Sequence, residues 1–207
     1  MNMQETKEMS LYKQGLKPNI LETAMRAFGK NGIRAVRMDD VASELGISKR
    51  TLYEIYENKE LLLFEVVKSY NMKRREQMNL QMMRCKNVME ILLAVYRMKT
   101  DEFRSTNPQF YLDLMGYPKV AKFLEKENQR VKKQTEEFFL RGIKEGYFRD
   151  DVNYQLAGQL FEVIGGYVME KQLFRRYSID DIFKNLIFVT LRGLCTSKGI
   201  KAIDKMI

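Results

Sequence analysis

The residue types best placed for chemistry lie close together between positions 37 and 59. Lys49, Arg50 and Thr51 follow directly after Ser48, with Tyr53 two positions further on. An arginine fork matches the two acceptors on the major-groove edge of guanine, and lysine or threonine can donate to base edges singly. Arg37, Tyr53, Tyr56 and Lys59 carry donors suited to phosphate oxygens. The chemistry of this set is recognition of a nucleic acid rather than the making of bonds. Elsewhere the chain offers little for catalysis. It has no histidine, so Ser-His and Cys-His nucleophile pairs and His-based metal sites are absent. Carboxylate pairs stand at Asp39-Asp40, Asp150-Asp151 and Asp180-Asp181. The first and third open helical patterns, where negative charge meets the positive end of the helix dipole; the second lies between two patterns. Gly165-Gly166 sits inside an apolar helical pattern and reads as close helix packing, not as a phosphate loop. No catalytic residue, metal or cofactor is expected.

The elements that must position the donors are legible nearby. Asp40, Val41, Ala42, Leu45, Ile47, Leu52 and Tyr56 place small and apolar side chains at helical spacing. Gly46 falls where two helices must turn sharply, and glycine enters the left-handed region without steric cost. Ser48 follows at an N-cap position. The pattern predicts a helix-turn-helix over about 37–56, whose second helix would lay its first turns in the major groove of DNA. Ala42, Leu45 and Leu52 are expected in the core.

This stretch resembles the DNA-binding half of the tetracycline-repressor (TetR) family of bacterial transcription regulators. The residues that carry the resemblance are Asp40-Val41-Ala42, Leu45-Gly46-Ile47-Ser48, Thr51-Leu52-Tyr53, Ile55-Tyr56 and Lys59-Glu60-Leu61-Leu62. An upstream helix, Ile20 to Ala24 with Ala27-Phe28, closes at Asn31-Gly32. Three positions depart from the family pattern: Arg37 for a threonine, Arg50 for a common glycine, and Ile55 for the first member of an aromatic pair. Arginine has no acceptor with which to cap a helix, yet it can reach a phosphate. The departures leave the implied fold intact and the pattern of contacts open.

Composition fits a soluble, cytoplasmic protein with no membrane partner. No window approaches the ~18 uncharged apolar residues of a membrane span, and the N-terminus lacks the apolar core of a secretory signal. Cys85 and Cys195, far apart, are expected as free thiols. The net charge is +9, which favours a polyanion. Residues 1–60 nevertheless hold ten Lys and Arg against nine Asp and Glu. Binding must therefore rest on where a few cations point, not on bulk charge.

The remainder reads as helix: about 59–83, 88–104, 109–115, 118–144, 153–174 and 179–196. The expected fold is all-α. An arm (1–15) and a three-helix DNA-binding domain (1–60) precede a helical bundle for effector binding and dimerisation (61–207). In the last two helices Leu156, Leu160, Ile164 and Tyr167 form one stripe, and Ile182, Leu186, Val189 and Gly193 form another. Both helices are apolar over much of their circumference, which requires burial on more than one side. A four-helix interface in a homodimer satisfies this, as in the family; internal burial is the alternative. Two-fold symmetry would make the operator in double-stranded DNA a palindrome. The resemblance further implies release by a small-molecule effector, with the helix from Lys59 as lever. Met98, Phe103, Tyr111, Met115, Tyr117, Phe138 and Phe161 are candidates to line its pocket. The 14 Met, 12 Phe and 11 Tyr suit an adaptable apolar pocket, though such side chains serve equally as plain core. The competing function is a non-specific architectural or partner-binding helical protein without effector control.

Overall fold

The computed structural model describes residues 3–206. Every regular element in it is helical: α1 (Met3–Asn31), α2 (Met38–Glu44), α3 (Lys49–Ile55), α4 (Lys59–Met82), α5 (Val88–Ser105), α6 (Pro108–Leu114), α7 (Pro118–Lys144), α8 (Tyr154–Glu170), α9 (Ile179–Ile182), α10 (Phe188–Arg192) and α11 (Ser197–Asp204). A π turn, Phe183–Ile187, joins α9 to α10. The only strand-like pairing among the described residues is a single bridge between Phe148 and Cys195.

The sequence supplies the boundaries. Ser48, Asn107, Asn153, Ser178 and Thr196 each cap a helix, the side-chain oxygen accepting a backbone N–H of the first turn. Gly32, Gly46 and Gly146 close helices with φ of 83°, 66° and 75°. The expected arm is not a free segment: from Met3 onward it is the first half of α1, and residues 1–2 lie outside the described residues. Residues 197–204 form a helix that the apolar pattern ending at Thr196 did not announce.

Two compact units emerge. The first comprises residues 3–76 and 105–124. Its core joins Ile20, Ala24 and Phe28 of α1, Val41 and Ala42 of α2, Leu52 of α3, Leu62, Leu63, Val66 and Val67 of α4, Phe110 and Leu114 of α6, and Val120 of α7. Packing therefore does not divide at residue 60, where the sequence pattern places a boundary. The first turns of α4 bury their apolar side, and α6 closes the same core. The second unit comprises residues 77–104 and 125–206, with a core around Val88, Met89, Phe139, Phe148, Phe188, Leu191, Cys195 and Ile203. Both cysteines are free. Burial pushes the Cys195 thiol up to about 11, which keeps it protonated and unreactive near neutrality.

The π turn rephases the last long helix. In an α-helix residues five apart point in different directions; here the Phe188 N–H bonds to the Phe183 carbonyl, which brings the two onto one side. Both rings stand edge-on to Tyr96 at 5.1 Å. Consequently Ile182, expected in a dimer stripe, is 5% exposed and belongs to the interior. Leu186 is half-buried, whereas Val189 and Gly193 are exposed.

Candidate nucleic-acid interface

The helix-turn-helix is built as its pattern requires. The Ile47 N–H bonds to the Ala42 carbonyl across the turn at 3.0 Å, with Gly46 in the left-handed region. Ser48 Oγ accepts the Thr51 N–H at 3.0 Å and lies 2.8 Å from its hydroxyl. At the head of α2, Asp40 accepts the Arg37 N–H at 2.7 Å. Arg37 itself contributes no side-chain cap, because a guanidinium only donates. Leu52 is fully buried and anchors α3, so the first turn of that helix faces outward.

Lys49, Arg50 and Tyr53 are exposed and Thr51 is half-exposed. Lys49 is ion-paired with Asp39 of α2. Arg50, its side chain 88% exposed, places Nε 2.9 Å from Glu54 Oε1. The other oxygen of Glu54 receives Lys13 Nζ at 2.8 Å. Hydrogen bonds from Lys13 first and Arg50 second hold the Glu54 carboxyl below its ordinary value. Tyr56 departs from its expected role. At 7% exposure its ring is core, and burial raises its hydroxyl pKa; the apolar spacing was the better guide to this residue. Lys59 is half-buried. Its ammonium sits 6.0 Å above the Phe28 ring and 3.4 Å from the Arg34 carbonyl, and desolvation lowers its pKa.

Asp113 of α6, a residue absent from the sequence-based set, steadies the approach to α2. Only 1% exposed, it accepts the Arg34 N–H at 3.0 Å and the Gln109 amide at 2.9 Å, with the Arg34 guanidinium 3.5 Å away. Burial alone would raise this carboxyl; the Arg34 N–H, the Gln109 amide and the Arg34 charge together hold it below the ordinary range. Beside it, Asn107 clamps the end of α1, its N–H on the Gly29 carbonyl at 2.7 Å and its amide on Lys30 at 3.2 Å. A lone aspartate 79 residues from its partner carries no sequence signal.

Residues 20–66 match the sequence model of bacterial regulatory proteins of the tetR family. Residues 20–66 thus form a TetR-type DNA-binding domain. The TetR-type helix-turn-helix makes it a DNA-binding transcription regulator. The chain is similar to the HTH-type transcriptional repressor KstR2 of Mycobacterium tuberculosis, 25% identical over 144 residues, which are 67% of this chain and 72% of that protein. It is 39% identical over 54 residues to the HTH-type transcriptional regulator YerO of Bacillus subtilis, 26% of this chain and 19% of that one. In fold it resembles a transcriptional regulator from Saccharomonospora viridis solved in complex with choline. That likeness has a TM-score of 0.71 and 21% identity, covering 88% of this chain and 99% of the other.

Outside the TetR-type domain, the predicted residues fall as follows. On α8 Leu156, Leu160, Val163 and Tyr167 are each between 50% and 66% exposed and recur at steps of four, three and four. Val163 thus replaces the half-buried Ile164 in the expected stripe. A groove along this face is lined by Val152, Asn153, Leu156, Ala157, Gln159, Leu160 and Val163. Of the pocket candidates, Tyr111 and Tyr117 pack on the first core and Phe138 and Phe161 on the second. Phe103 lies 5.6 Å from the Phe174 ring. Met98 is half-buried, and Met115, 72% exposed, faces solvent rather than lining an interior. A polar group missed by the pattern stands in the second unit. Asp180 accepts the Tyr96 hydroxyl at 2.9 Å and pairs with Arg104; Arg104 first and Tyr96 second hold its carboxyl below the ordinary value.

Proposed function

We propose that the protein is a repressor that binds a palindromic operator as a homodimer and leaves it when a small molecule occupies the effector-binding portion (61–207). The observation that carries this reading is the first turn of α3: three polar side chains, Lys49, Arg50 and Thr51, project from a helix fixed by the Ser48 cap and the buried Leu52. Lys49, Arg50 and Thr51 contact base edges, and Arg37, Tyr53 and Lys59 meet phosphates. One seven-residue helix reads only a few base pairs, so a second copy is required. The apolar stripe of α8 supports self-association: a second α8, packed antiparallel, would cover Leu156, Leu160, Val163 and Tyr167. Repression is supported by the likeness to the repressor KstR2, and effector control by the choline complex of the structural neighbour. The chain is proposed to act without catalysis and in the cytoplasm.

The test is selection of genomic fragments by the purified protein at physiological salt, followed by sequencing. A recovered palindrome, bound by two chains, supports the reading. Recovery of arbitrary fragments alone would replace it with a non-specific architectural role.

A further inference from the structure

Both basic residues in the first turn of α3 are already engaged within their own unit. Lys49 is held by Asp39 from α2, and Arg50 by Glu54 one turn further along α3. Neither carboxylate is buried; both pairs are exposed and hence exchangeable. The carboxylate of Glu54 is shared. One oxygen faces Arg50 at 2.9 Å and the other faces Lys13 at 2.8 Å. Lys13 lies in the stretch of α1 that precedes residue 20, where the match to the TetR family begins.

We infer that Asp39 and Glu54 latch the reading cations, Lys49 and Arg50, and so suppress attachment to DNA of arbitrary sequence, and that Lys13 loosens one latch by competing for Glu54. This rests on the assignment of α3 as the reading helix. Attachment to arbitrary DNA comes almost wholly from cations that neutralise phosphates and release counterions. A cation held by a carboxylate must surrender that partner to a single phosphate oxygen, and the freed carboxylate then faces a polyanion. At a matching base, the Arg50 fork gains two acceptors in return. The latch therefore weighs more heavily on arbitrary DNA than on the operator, and specificity is a difference between the two. The near balance of charge over residues 1–60, ten cations against nine anions, is the same device seen in composition. Glu54 is a positioning residue: it sets where Arg50 rests and touches no base itself.

The experiment measures binding of the full chain to a selected palindromic duplex and to a random-sequence duplex of equal length, across a salt series. Glu54→Gln should tighten random-duplex binding several-fold. It should also steepen the dependence of log K on log salt by about 0.9 for each cation released. The selected duplex should gain less, so the ratio of the two affinities falls. Asp39→Asn should do the same through Lys49, which covers the case that one variant fails to fold. Glu57→Gln, which removes the same charge from an exposed residue with no ion pair among the described residues, should leave the ratio unchanged. Lys13→Met should weaken random-duplex binding in the wild-type background and have no effect beside Glu54→Gln. The latch is overturned if Glu54→Gln and Glu57→Gln act alike, or if the Lys13 effect persists without Glu54. If Arg50→Ala weakens operator binding while Glu54→Gln is silent, the latch alone fails. If Arg50→Ala leaves both duplexes unaffected, the base-reading assignment itself fails.

Discussion

Replacing Asp113 by alanine removes a carboxylate that ties the segment before α2 to α6. Two donors lose an ionised acceptor: the Arg34 N–H at 3.0 Å and the Gln109 amide at 2.9 Å. A hydrogen bond to a charged partner contributes about 1.5–3 kcal/mol net. The Arg34 guanidinium, 3.5 Å away on a side chain three-quarters exposed, adds less than about 1 kcal/mol. Water replaces part of the loss, so Asp113→Ala should cost about 3 kcal/mol. For a chain of this length that lowers Tm by about 6–12 °C. Asp113→Asn keeps one acceptor oxygen and should lose about half as much. The assay is thermal and urea unfolding followed by far-ultraviolet circular dichroism, with operator affinity measured on the same samples. The pH dependence follows from the direction of the shift. Because the folded carboxyl lies below its ordinary value, its contribution is complete above about pH 4 and is lost as pH falls through the lower folded value. The alanine variant should therefore show a flatter decline of stability in that acid window. Unfolding within about 0.5 kcal/mol of wild type, with unchanged operator affinity, would refute the assignment of Asp113 as the tie.

Arg50→Ala should weaken operator binding by about 1–3 kcal/mol and relax the preference at one base pair; equal loss on operator and random DNA would reduce Arg50 to a phosphate contact. Leu160→Glu places a charge in the exposed stripe of α8 and should shift sedimentation from dimer to monomer with loss of operator binding; an unchanged dimer would move the interface elsewhere. Gly199→Ala sets a Cβ 2.2 Å from the Tyr147 carbonyl oxygen and 2.9 Å from the Cys195 Cβ. It should destabilise by at least about 1–3 kcal/mol in urea unfolding, leaving DNA contacts untouched.

The fold was largely written in local signals. Capping residues, glycines at helix ends and the 3.6-residue apolar period located the helices from α2 to α8 to within a few residues. The period failed where the helix itself changed pitch. Positions 182, 186, 189 and 193 share a face only on an unbroken α-helix, and the turn at Phe183–Ile187 separates Ile182 from Val189. The helix-turn-helix was legible because its cap, its turn and its exposed polar side chains are contiguous. Its ion pairs were not, since Lys13 with Glu54 and Arg34 with Asp113 join residues that only tertiary packing brings together. Tyr56 illustrates the ambiguity of an amphipathic side chain: spacing placed it in the core and its hydroxyl suggested the surface, and burial decided for the first.

The π turn also separates counting from distance in the last long helix. It absorbs one residue more than an α-helical turn of similar height, so the segment behaves as though it carried a single-residue insertion that never lengthened the rod. Deleting exposed Asn185 would let the helix regularise at little cost in height. Phe188 would then stand four positions after Phe183 instead of five, within about 40° of it on a regular helix. Both rings would keep the side that faces Tyr96, and Val189 would stay outside. Divergent relatives that differ in length here should therefore be aligned by helix face and not by residue number.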